Sequence, residues 1–267
     1  MQKSILITGS TDGIGLEAAR LLLSQGHHVL LHGRNPKKLE VVVNELSEES
    51  DPERIESFVA DLSGMGEVKA FAQAITERNA PLDILVNNAG ILKTPKTTTR
   101  DGLDVRFAVN TIAPYLLTRR LLPLLGTSGR VVNLSSAAQS PVNLRALASA
   151  VPMSDMEAYA QSKLAITMWS RHMALSLQGN GPVIVALNPG SLLGTKMVKE
   201  GFGMDGKDIG IGAKIIVRAA LAEEFESASG EYFDNDAGRF ASPHADALNS
   251  RKTDAVVSAI EGVLAAV

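Results

Sequence analysis

A tyrosine and a lysine four residues apart, Tyr159 and Lys163, are the side chains of this sequence best suited to proton transfer. They lie in the stretch Glu157 to Leu177, whose spacing predicts a helix, and residues at i and i+4 share a helix face. A nearby ammonium lowers the pKa of a phenol from its ordinary value of about 10, and a shift of two to three units corresponds to about 3 to 4 kcal/mol. The pair is typical of general acid/base chemistry, although many helices carry such a pair without that function.

Hydroxyl and amide side chains elsewhere are candidates to assist such a step. Ser135 and Ser136 follow the apolar stretch Arg130 to Leu134, where a hydroxyl would orient a substrate carbonyl oxygen. No G-x-S-x-G motif surrounds these serines, so the sequence does not favour a hydrolase nucleophile. Asn110 lies in a predicted helix, and by itself it indicates a capping or otherwise satisfied polar residue.

A glycine-rich turn separates the first predicted strand from the first predicted helix. It reads Thr8-Gly9-Ser10-Thr11-Asp12-Gly13-Ile14-Gly15. Glycines let a backbone turn tightly and approach a pyrophosphate, whose negative charge the N-terminus of a helix favours. A tight turn without a ligand is the alternative. Because the turn is the first strand-to-helix connection, we expect residues 9–15 to bind a dinucleotide.

The end of the second predicted strand indicates which dinucleotide binds. NAD enzymes place a carboxylate there for the ribose 2′-hydroxyl, whereas this sequence reads His32-Gly33-Arg34-Asn35, with Lys37 and Lys38 close behind. A guanidinium is suited to a bidentate grip on phosphate. We therefore expect Arg34 and Asn35 to belong to a site for NADP(H), with Arg34 at the 2′-phosphate. An ordinary exposed basic turn is the alternative.

Residues that follow the third and fourth predicted strands complete this expected cofactor site. They are Asp61 and Leu62 after the third strand, and Asn88, Ala89 and Gly90 after the fourth. Parallel strands present their carboxyl ends to the crevice in which open α/β sheets bind ligands. We therefore expect both groups to face the cofactor.

A parallel sheet is needed to bring these residues together. Short apolar stretches that predict strands, 4–8, 28–32, 55–60, 83–87, 130–134 and 183–187, alternate with amphipathic stretches such as 15–25 and 65–78. This alternation predicts an α/β fold with crossover helices. No repeat or linker divides the chain, so one domain over residues 1–267 is expected, with substrate loops at 140–156 and 191–208.

Composition limits the possible partners. The formal net charge is −3 and the sequence pI about 6.0, so no broad field attracts nucleic acid or an anionic membrane. The chain has no cysteine, which excludes thiolate chemistry, and its five histidines lack the spacing of metal ligands. The apolar stretch Ile5 to Ile7 near the N-terminus is too short for a signal segment or a membrane span. We expect a soluble cytoplasmic protein without a bound metal.

Taken together, the motifs resemble those of the short-chain dehydrogenase/reductase family over nearly the whole chain. In the family's order and approximate spacing they are Thr8-Gly9-x-x-x-Gly13-x-Gly15, Asn87-Asn88-Ala89-Gly90, Asn110, Ser136, Tyr159-x-x-x-Lys163 and Pro189-Gly190. The resemblance implies a doubly wound Rossmann-type domain with a mostly parallel, seven-stranded sheet. It also implies hydride transfer between NADP(H) and a carbonyl or alcohol, with Pro189 and Gly190 in the cofactor site.

The resemblance also implies a role for each catalytic residue. Tyr159 is the general acid/base, and Lys163 lowers its pKa and holds the nicotinamide ribose. Ser136 positions the substrate oxygen, and Asn110 supports a water-mediated proton relay. A catalytically idle NADP(H)-binding regulator on the same fold is the rival interpretation. The intact trio of Ser136, Tyr159 and Lys163 favours the enzyme.

Within the family, the chain is similar to the retinol-dehydrogenase-like branch. The long interval between Ser136 and Tyr159 and the late motifs Gly230-Glu231-Tyr232-Phe233 and Ser242-Pro243 carry this likeness. We expect no membrane anchor of the kind common in that branch. Thr195 lies one residue later than the family pattern has it, which puts its contact with the nicotinamide amide in question.

Apolar side chains dominate the two expected substrate loops, 140–156 and 191–208, and predict an apolar carbonyl or alcohol as the substrate. Covering the sheet or meeting a second subunit is the alternative role for them. Tyr115, Met168 and Trp169 lie on two predicted helices and indicate core packing or a subunit interface. We expect a homodimer or homotetramer.

Overall fold

The computed structural model describes residues 1–267 and contains one eight-stranded sheet. The strands are β1 Ser4–Ile7, β2 His28–Gly33, β3 Ile55–Val59, β4 Ile84–Asn87, β5 Arg130–Leu134, β6 Val183–Asn188, β7 Tyr232–Asp234 and β8 Arg239–Ala241. Their order in the sheet is β3-β2-β1-β4-β5-β6-β7-β8, and only β8 runs antiparallel to its neighbour. The six strands expected from the apolar stretches are confirmed; 130–134 has the expected boundaries, and each of the other five differs by one residue at one end.

Helices flank the sheet on both faces. They are α1 Gly13–Ser24, α2 Pro36–Glu49, α3 Met65–Glu77, α4 Val105–Phe107, α5 Ala113–Leu125, α6 Leu144–Ala148, α7 Asp155–Leu177, α8 Lys196–Phe202, α9 Ile209–Leu221 and α10 Ser250–Ala266. A π-helical turn, Ala108–Ile112, joins α4 to α5. The α/β class and the doubly wound arrangement expected from the sequence are confirmed.

The core consists of two layers, one on each face of the sheet. Helices α1, α2 and α9 contribute to one buried cluster, and α3, α5, α7 and α10 contribute to the other. Neighbouring strand residues alternate between the layers, since Leu6 belongs to one cluster while Ile5 and Ile7 belong to the other. Strands covered on both faces are apolar throughout, which is why their sequences do not alternate between apolar and polar residues.

The strand order places a ligand crevice beside β1. From β1 the chain proceeds outward to β2 and β3, and then returns to form β4 on the other side of β1. The connections after β1 and β4 therefore leave the sheet toward opposite faces, which opens a crevice at the carboxyl ends of these strands. The residues that the sequence analysis assigns to the cofactor follow β1, β2, β3, β4 and β6, all at this edge.

The sheet has one strand more than the seven expected. Strands β7 and β8 are each three residues long and form a hairpin, and Gly238 lies in its turn with a φ of +67°. Phe225, Phe233 and Phe240 pack against one another with ring centroids 5.1 to 5.2 Å apart. Strands of three residues carry too little periodicity to be recognised in a sequence, which is why the apolar stretches did not indicate this hairpin.

Candidate active site

Four polar side chains from three separate segments of the chain meet at the carboxyl ends of β4 and β5. Helix α7 carries Tyr159 and Lys163, and the Lys163 Nζ atom lies 5.6 Å from the centre of the Tyr159 ring. Ser136 follows the end of β5, and its side chain lies close enough to the Tyr159 hydroxyl to lower the pKa of Tyr159. Asn110 lies in the π-helical turn that packs against α7. The structure thus brings together the four residues expected to be catalytic.

Burial controls the protonation of this group. Removal from water raises the pKa of Tyr159, and the polar interaction with the Ser136 side chain acts in the opposite direction. Burial also lowers the pKa of Lys163 to about 8. The Lys163 ammonium donates a hydrogen bond to the backbone oxygen of Leu134 over 2.6 Å. Tyr159 therefore holds its proton at neutral pH and is a proton donor in this state, and burial rather than Lys163 dominates its pKa.

Asn110 joins the segment after β4 to α7. Its Oδ1 atom accepts a hydrogen bond from the Ile91 amide over 2.8 Å, and its Nδ2 atom donates to the Ile91 carbonyl and the Ser162 hydroxyl, each over 2.9 Å. The side chain is almost fully buried. Single π-helical turns inside helices are frequent at functional sites. Its direct contacts give Asn110 a positioning role, in addition to the proton relay that the family resemblance implies.

The glycine-rich turn after β1 is shaped for a close ligand. Gly9 and Gly13 have φ values of +66° and +54°, a region that side-chain-bearing residues rarely adopt. A methyl group at Gly15 would lie 2.3 Å from the Asn88 Nδ2 atom, which donates hydrogen bonds to the backbone oxygens of Thr8 and Gly9. The turn leads directly into the N-terminus of α1, where backbone N–H groups and the helix dipole favour an anion.

Side chains in this turn have different orientations. Ser10 is buried, and its hydroxyl accepts a hydrogen bond from the His32 amide. Ile14 is directed toward α9, where a methyl group at Gly212 would lie 2.8 Å from its Cγ2 atom. The Thr11 side chain lies against Gly33 at the end of β2. The side chains of Ser10 and Ile14 thus hold the turn in place, which leaves the backbone of the turn to face a ligand.

Charges beside the turn are arranged for an additional anion. Asp12 caps α1 by accepting a hydrogen bond from the Gly13 amide, and it pairs with the Lys38 ammonium over 2.6 Å. The hydrogen bond with Lys38 lowers the pKa of Asp12. Arg34 is exposed and forms no hydrogen bond or ion pair within the chain, while Asn35 caps α2 through the Lys38 amide. The Asp12 charge is thereby neutralised, and the Arg34 guanidinium is free to bind a ligand.

The remaining expected cofactor residues lie along the same edge. Asp61 is partly exposed after β3 and accepts a hydrogen bond from the Ser63 amide, whereas Leu62 is buried. Ala89 packs against the turn, because a methyl group at Gly9 would lie 2.9 Å from its Cα atom. A methyl group at Gly90 would lie 3.5 Å from the Lys163 Nζ atom. Gly90 therefore borders both the expected cofactor site and the catalytic group.

The segment after β6 crosses the cleft. Thr195 caps α8 and lies against the glycine-rich turn, with its Cγ2 atom 3.4 Å from the position of a methyl group at Gly13. Farther along, the Met197 Cε atom lies 3.6 Å from the position of a methyl group at Gly90. The expected substrate loop 191–208 therefore reaches both the turn and the catalytic residues, and the Thr195 hydroxyl is engaged with the Val198 amide.

Four residues that the sequence analysis did not assign hold the segment of Pro189 and Gly190 in place. Asn188 donates hydrogen bonds to Asp234 and Asp236, and Asp236 also accepts from the Ser191 amide and hydroxyl. Asn235 donates to the Pro189 carbonyl over 2.9 Å. These contacts connect β6 to the hairpin of β7 and β8. The motif Asp234-Asn235-Asp236 is a polar turn in the sequence, and only the sheet order brings it beside Pro189.

Tyr232 supports the position of Ser136 from the same hairpin. Its hydroxyl donates a hydrogen bond to the Ser136 carbonyl over 3.2 Å. Burial raises the pKa of Tyr232 well above its ordinary value, so this hydroxyl keeps its proton. The sequence analysis used Tyr232 only as part of the family likeness, and nothing in the local sequence indicates that its hydroxyl reaches the end of β5.

Two aromatic residues, Tyr115 of α5 and Trp169 of α7, are buried in the cluster to which the C-terminal helix α10 contributes. Their rings meet edge to face with centroids 5.5 Å apart. Glu261 of α10 accepts hydrogen bonds from the Tyr115 hydroxyl and the Arg119 guanidinium. The sequence analysis expected either core packing or a subunit interface for these residues. Within the chain both rings are part of the core.

Neither a membrane-spanning helix nor a metal cluster is present. Each helix is too short or too polar to cross a bilayer. No three His, Asp or Glu side chains converge in a way that would bind a metal ion.

The fold and the site together define a class of protein. A doubly wound sheet carries a glycine-rich turn at its switch point, and a tyrosine, a lysine, a serine and an asparagine converge beside that turn. These features define a nucleotide-binding oxidoreductase with a nicotinamide cofactor.

Comparison with known proteins identifies the family. The sequence model of the short chain dehydrogenases matches residues 3–205. Human polyprenol dehydrogenase is 34% identical over 251 residues, which cover 86% of this chain and 76% of that protein. Human retinol dehydrogenase 12 is 34% identical over 256 residues, which cover 91% and 81%. The chain belongs to the short-chain dehydrogenase/reductase family, in its retinol-dehydrogenase-like branch.

Solved structures agree with this assignment. A protein from Mycobacterium paratuberculosis has a TM-score of 0.81 at 26% identity, covering 98% of this chain and 93% of that one. The NADP active-site complex of Pseudomonas aeruginosa RhlG has a TM-score of 0.69 at 27% identity, covering 88% and 95%. The latter likeness supports a nicotinamide cofactor.

Proposed function

We propose that this protein transfers a hydride between NADP(H) and an apolar carbonyl or alcohol, with Tyr159 as the general acid/base. The observation that carries the proposal is the convergence of Tyr159, Ser136, Lys163 and Asn110 beside the glycine-rich turn. Each group has a defined task in such a reaction. Replacing any of them leaves a different part of the reaction unsupported.

The protein residues supply the proton and orient the substrate. In the reductive direction Tyr159 donates its phenolic proton to the substrate oxygen, and the Ser136 hydroxyl holds that oxygen by a hydrogen bond. Bound NADP(H) supplies the hydride in reduction and accepts it in oxidation. In the oxidative direction the Lys163 ammonium stabilises the phenolate that must form on Tyr159, because opposite charges at short range favour each other in a dry cleft.

The chain is suited to NADP(H) on both chemical and steric grounds. The positive φ of Gly13 and the close packing of Gly15 on Asn88 hold the turn in a shape that only glycines allow at the N-terminus of α1, and Arg34 has no competing partner within the chain. The negative charge of Asp12, which would repel a 2′-phosphate, is neutralised by Lys38. These features support NADP(H) over NAD(H), because NAD(H) has no 2′-phosphate with which the unpaired Arg34 could form an ion pair.

The cofactor is tested by measuring NADPH and NADH affinities for the wild type and for Arg34→Ala. Loss of a charged hydrogen-bond partner costs about 1.5 to 3 kcal/mol, so NADPH binding should weaken about ten- to a hundredfold while NADH binding barely changes. Arg251→Ala removes an exposed arginine of α10 and is the matched control. Equal affinity of the wild type for both nucleotides would refute NADP(H) preference.

Catalysis by Tyr159 is tested with Tyr159→Phe. The variant should fold and bind NADPH while its turnover falls roughly a hundred- to ten-thousandfold, because only the transferable proton is lost. Turnover near the wild-type rate would contradict the role of Tyr159. NADPH binding by the wild type without turnover on any aldehyde, ketone or alcohol would favour the idle regulator instead.

The substrate class is proposed from the two loops that border the cleft. The large apolar side chains exposed there, at 39 to 46% of their surface, are Leu144, Met156, Leu192, Phe202 and Met204. The names of the polyprenol and retinol dehydrogenase relatives, both of which refer to lipid alcohols, support the same class. In a chain-length series of aldehydes each buried methylene is worth about 0.8 kcal/mol, which corresponds to about a fourfold rise in kcat/KM. A flat series would refute an apolar pocket.

Assembly and location are also proposals. We propose a homodimer or homotetramer in the cytoplasm, as expected from the sequence. Since Tyr115 bonds to α10 and Trp169 is buried in the same cluster within the chain, an assembly would use α10 itself or another surface. Light scattering of the purified chain tests the assembly, and fractionation of cells that express it tests the location. A monomeric mass across the micromolar range would contradict the oligomer.

A further inference from the structure

A buried histidine at the end of β2, His32, contacts two cofactor-binding segments at once. Its ring stacks on Phe71, with centroids 4.8 Å apart, and is 3% exposed. The Nδ1 atom lies 3.0 Å from the Gly9 backbone nitrogen, and the Nε2 atom lies 3.1 Å from the Ala60 backbone oxygen. The ring therefore spans from the glycine-rich turn after β1 to the end of β3.

The two contacts require one protonation state. The Ala60 oxygen can only accept a hydrogen bond, so Nε2 must carry a proton. The Gly9 amide can only donate, so Nδ1 must be an unprotonated acceptor. A neutral imidazole with its proton on Nε2 satisfies both contacts, whereas a second proton would oppose the Gly9 N–H. Burial lowers the pKa of His32 to about 4, which keeps it neutral at physiological pH.

His32 holds two successive amides of the glycine-rich turn. The Gly9 N–H donates to its ring, and the Ser10 N–H donates to its backbone carbonyl over 3.0 Å. With these two amides directed inward, the later amides of the turn and the N-terminus of α1 remain for the pyrophosphate. Gly9 is also packed closely against Ala89, whose Cα atom lies 2.9 Å from the position of a methyl group at Gly9.

Residues next to His32 and next to Ala60 in the sequence are themselves expected to bind the adenosine half of the cofactor. Arg34, proposed to bind the 2′-phosphate, lies two residues further along the chain. Asp61 and Leu62 directly follow Ala60. The His32 ring thus connects the glycine-rich turn with the segment after β3, and Arg34 directly follows the strand that carries His32.

We propose that His32 is a positioning residue for the cofactor, and that its Nδ1 bond to Gly9 sets the geometry of the pyrophosphate turn. The proposal rests on the proposed NADP(H) function and assigns a role to a residue outside the catalytic group. Because His32 acts on binding of the adenosine half, its loss raises the Kd and KM of the cofactor and leaves kcat at saturation unchanged.

Three substitutions at His32 separate its two contacts. His32→Asn places an acceptor at the same number of bonds from Cα as Nδ1, so it preserves the Gly9 bond and loses the Ala60 bond. His32→Gln reaches as far as Nε2 and preserves only the Ala60 bond. His32→Leu loses both. NADPH titration should give a Kd within about threefold of the wild type for His32→Asn, and a Kd on the order of tenfold higher or more for His32→Gln and His32→Leu, since an unsatisfied buried N–H is costly.

The matched control is His27→Leu. His27 is also buried and also accepts a backbone N–H bond, from Lys3 to its Nδ1 atom over 3.1 Å, but it lies at the opposite end of β2. Its loss should lower the Tm without changing the NADPH Kd. All variants should retain the wild-type kcat within about twofold when NADPH and the carbonyl substrate are both saturating.

Several results would overturn the proposal: His32→Leu binding NADPH as tightly as the wild type, His32→Asn binding as weakly as His32→Leu, or a fall in saturating kcat that matches the loss of affinity. Titration with NADH in parallel separates this proposal from the cofactor assignment. A wild type that prefers NADH would refute the proposed NADP(H) specificity, while the ratios among the His32 variants with NADH would still decide the positioning role. Binding of neither nucleotide by the wild type would refute both.

Discussion

Replacing Lys163 with methionine should stabilise the protein while it abolishes turnover. Lys163 is 4% exposed, and no carboxylate pairs with its ammonium. The only hydrogen bond of the ammonium is the one to the Leu134 carbonyl. A buried charge with so few partners is costly, and it persists where function requires it. Methionine has a similar length and volume and removes the charge.

The size of the effect follows from the pKa of Lys163. Burial lowers it from 10.5 to about 8, and one pKa unit is worth about 1.4 kcal/mol, so the charged lysine destabilises the fold by about 3 kcal/mol below pH 8. Removing the charge relieves this destabilisation, but the lost hydrogen bond to the Leu134 carbonyl offsets about 1 to 2 kcal/mol of the relief. Lys163→Met should therefore raise the free energy of unfolding by about 1 to 2 kcal/mol at pH 7.

Urea unfolding of the cofactor-free protein at pH 7 and pH 10 measures this effect. Between pH 8 and 10.5 the unfolded lysine binds more protons than the folded one, so the stability of the wild type rises with pH in that interval. The advantage of Lys163→Met should therefore shrink or reverse at pH 10. Lys214→Met, at an exposed lysine of α9, is the control and should be neutral. A variant less stable than the wild type at pH 7, or a pH-independent difference, would refute the reasoning.

Three further outcomes are expected. Arg106→Leu should destabilise the protein by about 3 to 5 kcal/mol in urea unfolding, because Arg106 is buried between Asp104 and the start of α7 and its loss leaves a buried carboxylate unpaired; a loss below 1 kcal/mol would contradict this. Asp236→Ala should free Ser191 and raise the KM for NADPH several-fold with little change in Tm, and unchanged kinetics would show that the hairpin does not support the nicotinamide side. Burial lowers the pKa of His32 from 6.5 to about 4, so only the unfolded state takes up its proton between those pH values. The free energy of unfolding should therefore fall by up to about 3 kcal/mol as the pH drops from 6.5 to 4. His32→Asn should remove this pH-dependent component.

The local sequence determined the features that depend on neighbouring residues. The six apolar strands, the glycine-rich turn before α1 and the pairing of Tyr159 with Lys163 on one helix all follow from residue type and short-range spacing. A parallel α/β sheet then follows from their alternation, and its carboxyl edge from the direction of the strands. These inferences hold because each depends on the spacing of residues within one strand, one turn or one helix.

Tertiary structure alone decided which distant groups meet. Strand β8, the reach of Tyr232 to Ser136 and the support of Ser191 by Asp236 depend on how a short hairpin packs beside β6. The pKa of Tyr159 depends on burial, a property of the whole fold, and in the sequence only the neighbouring ammonium is visible. His32 is one of five histidines without a motif in the sequence, and it becomes a link between the glycine-rich turn and β3 only because β1, β2 and β3 are adjacent. Contacts between elements depend on sheet order and packing, which local spacing does not encode.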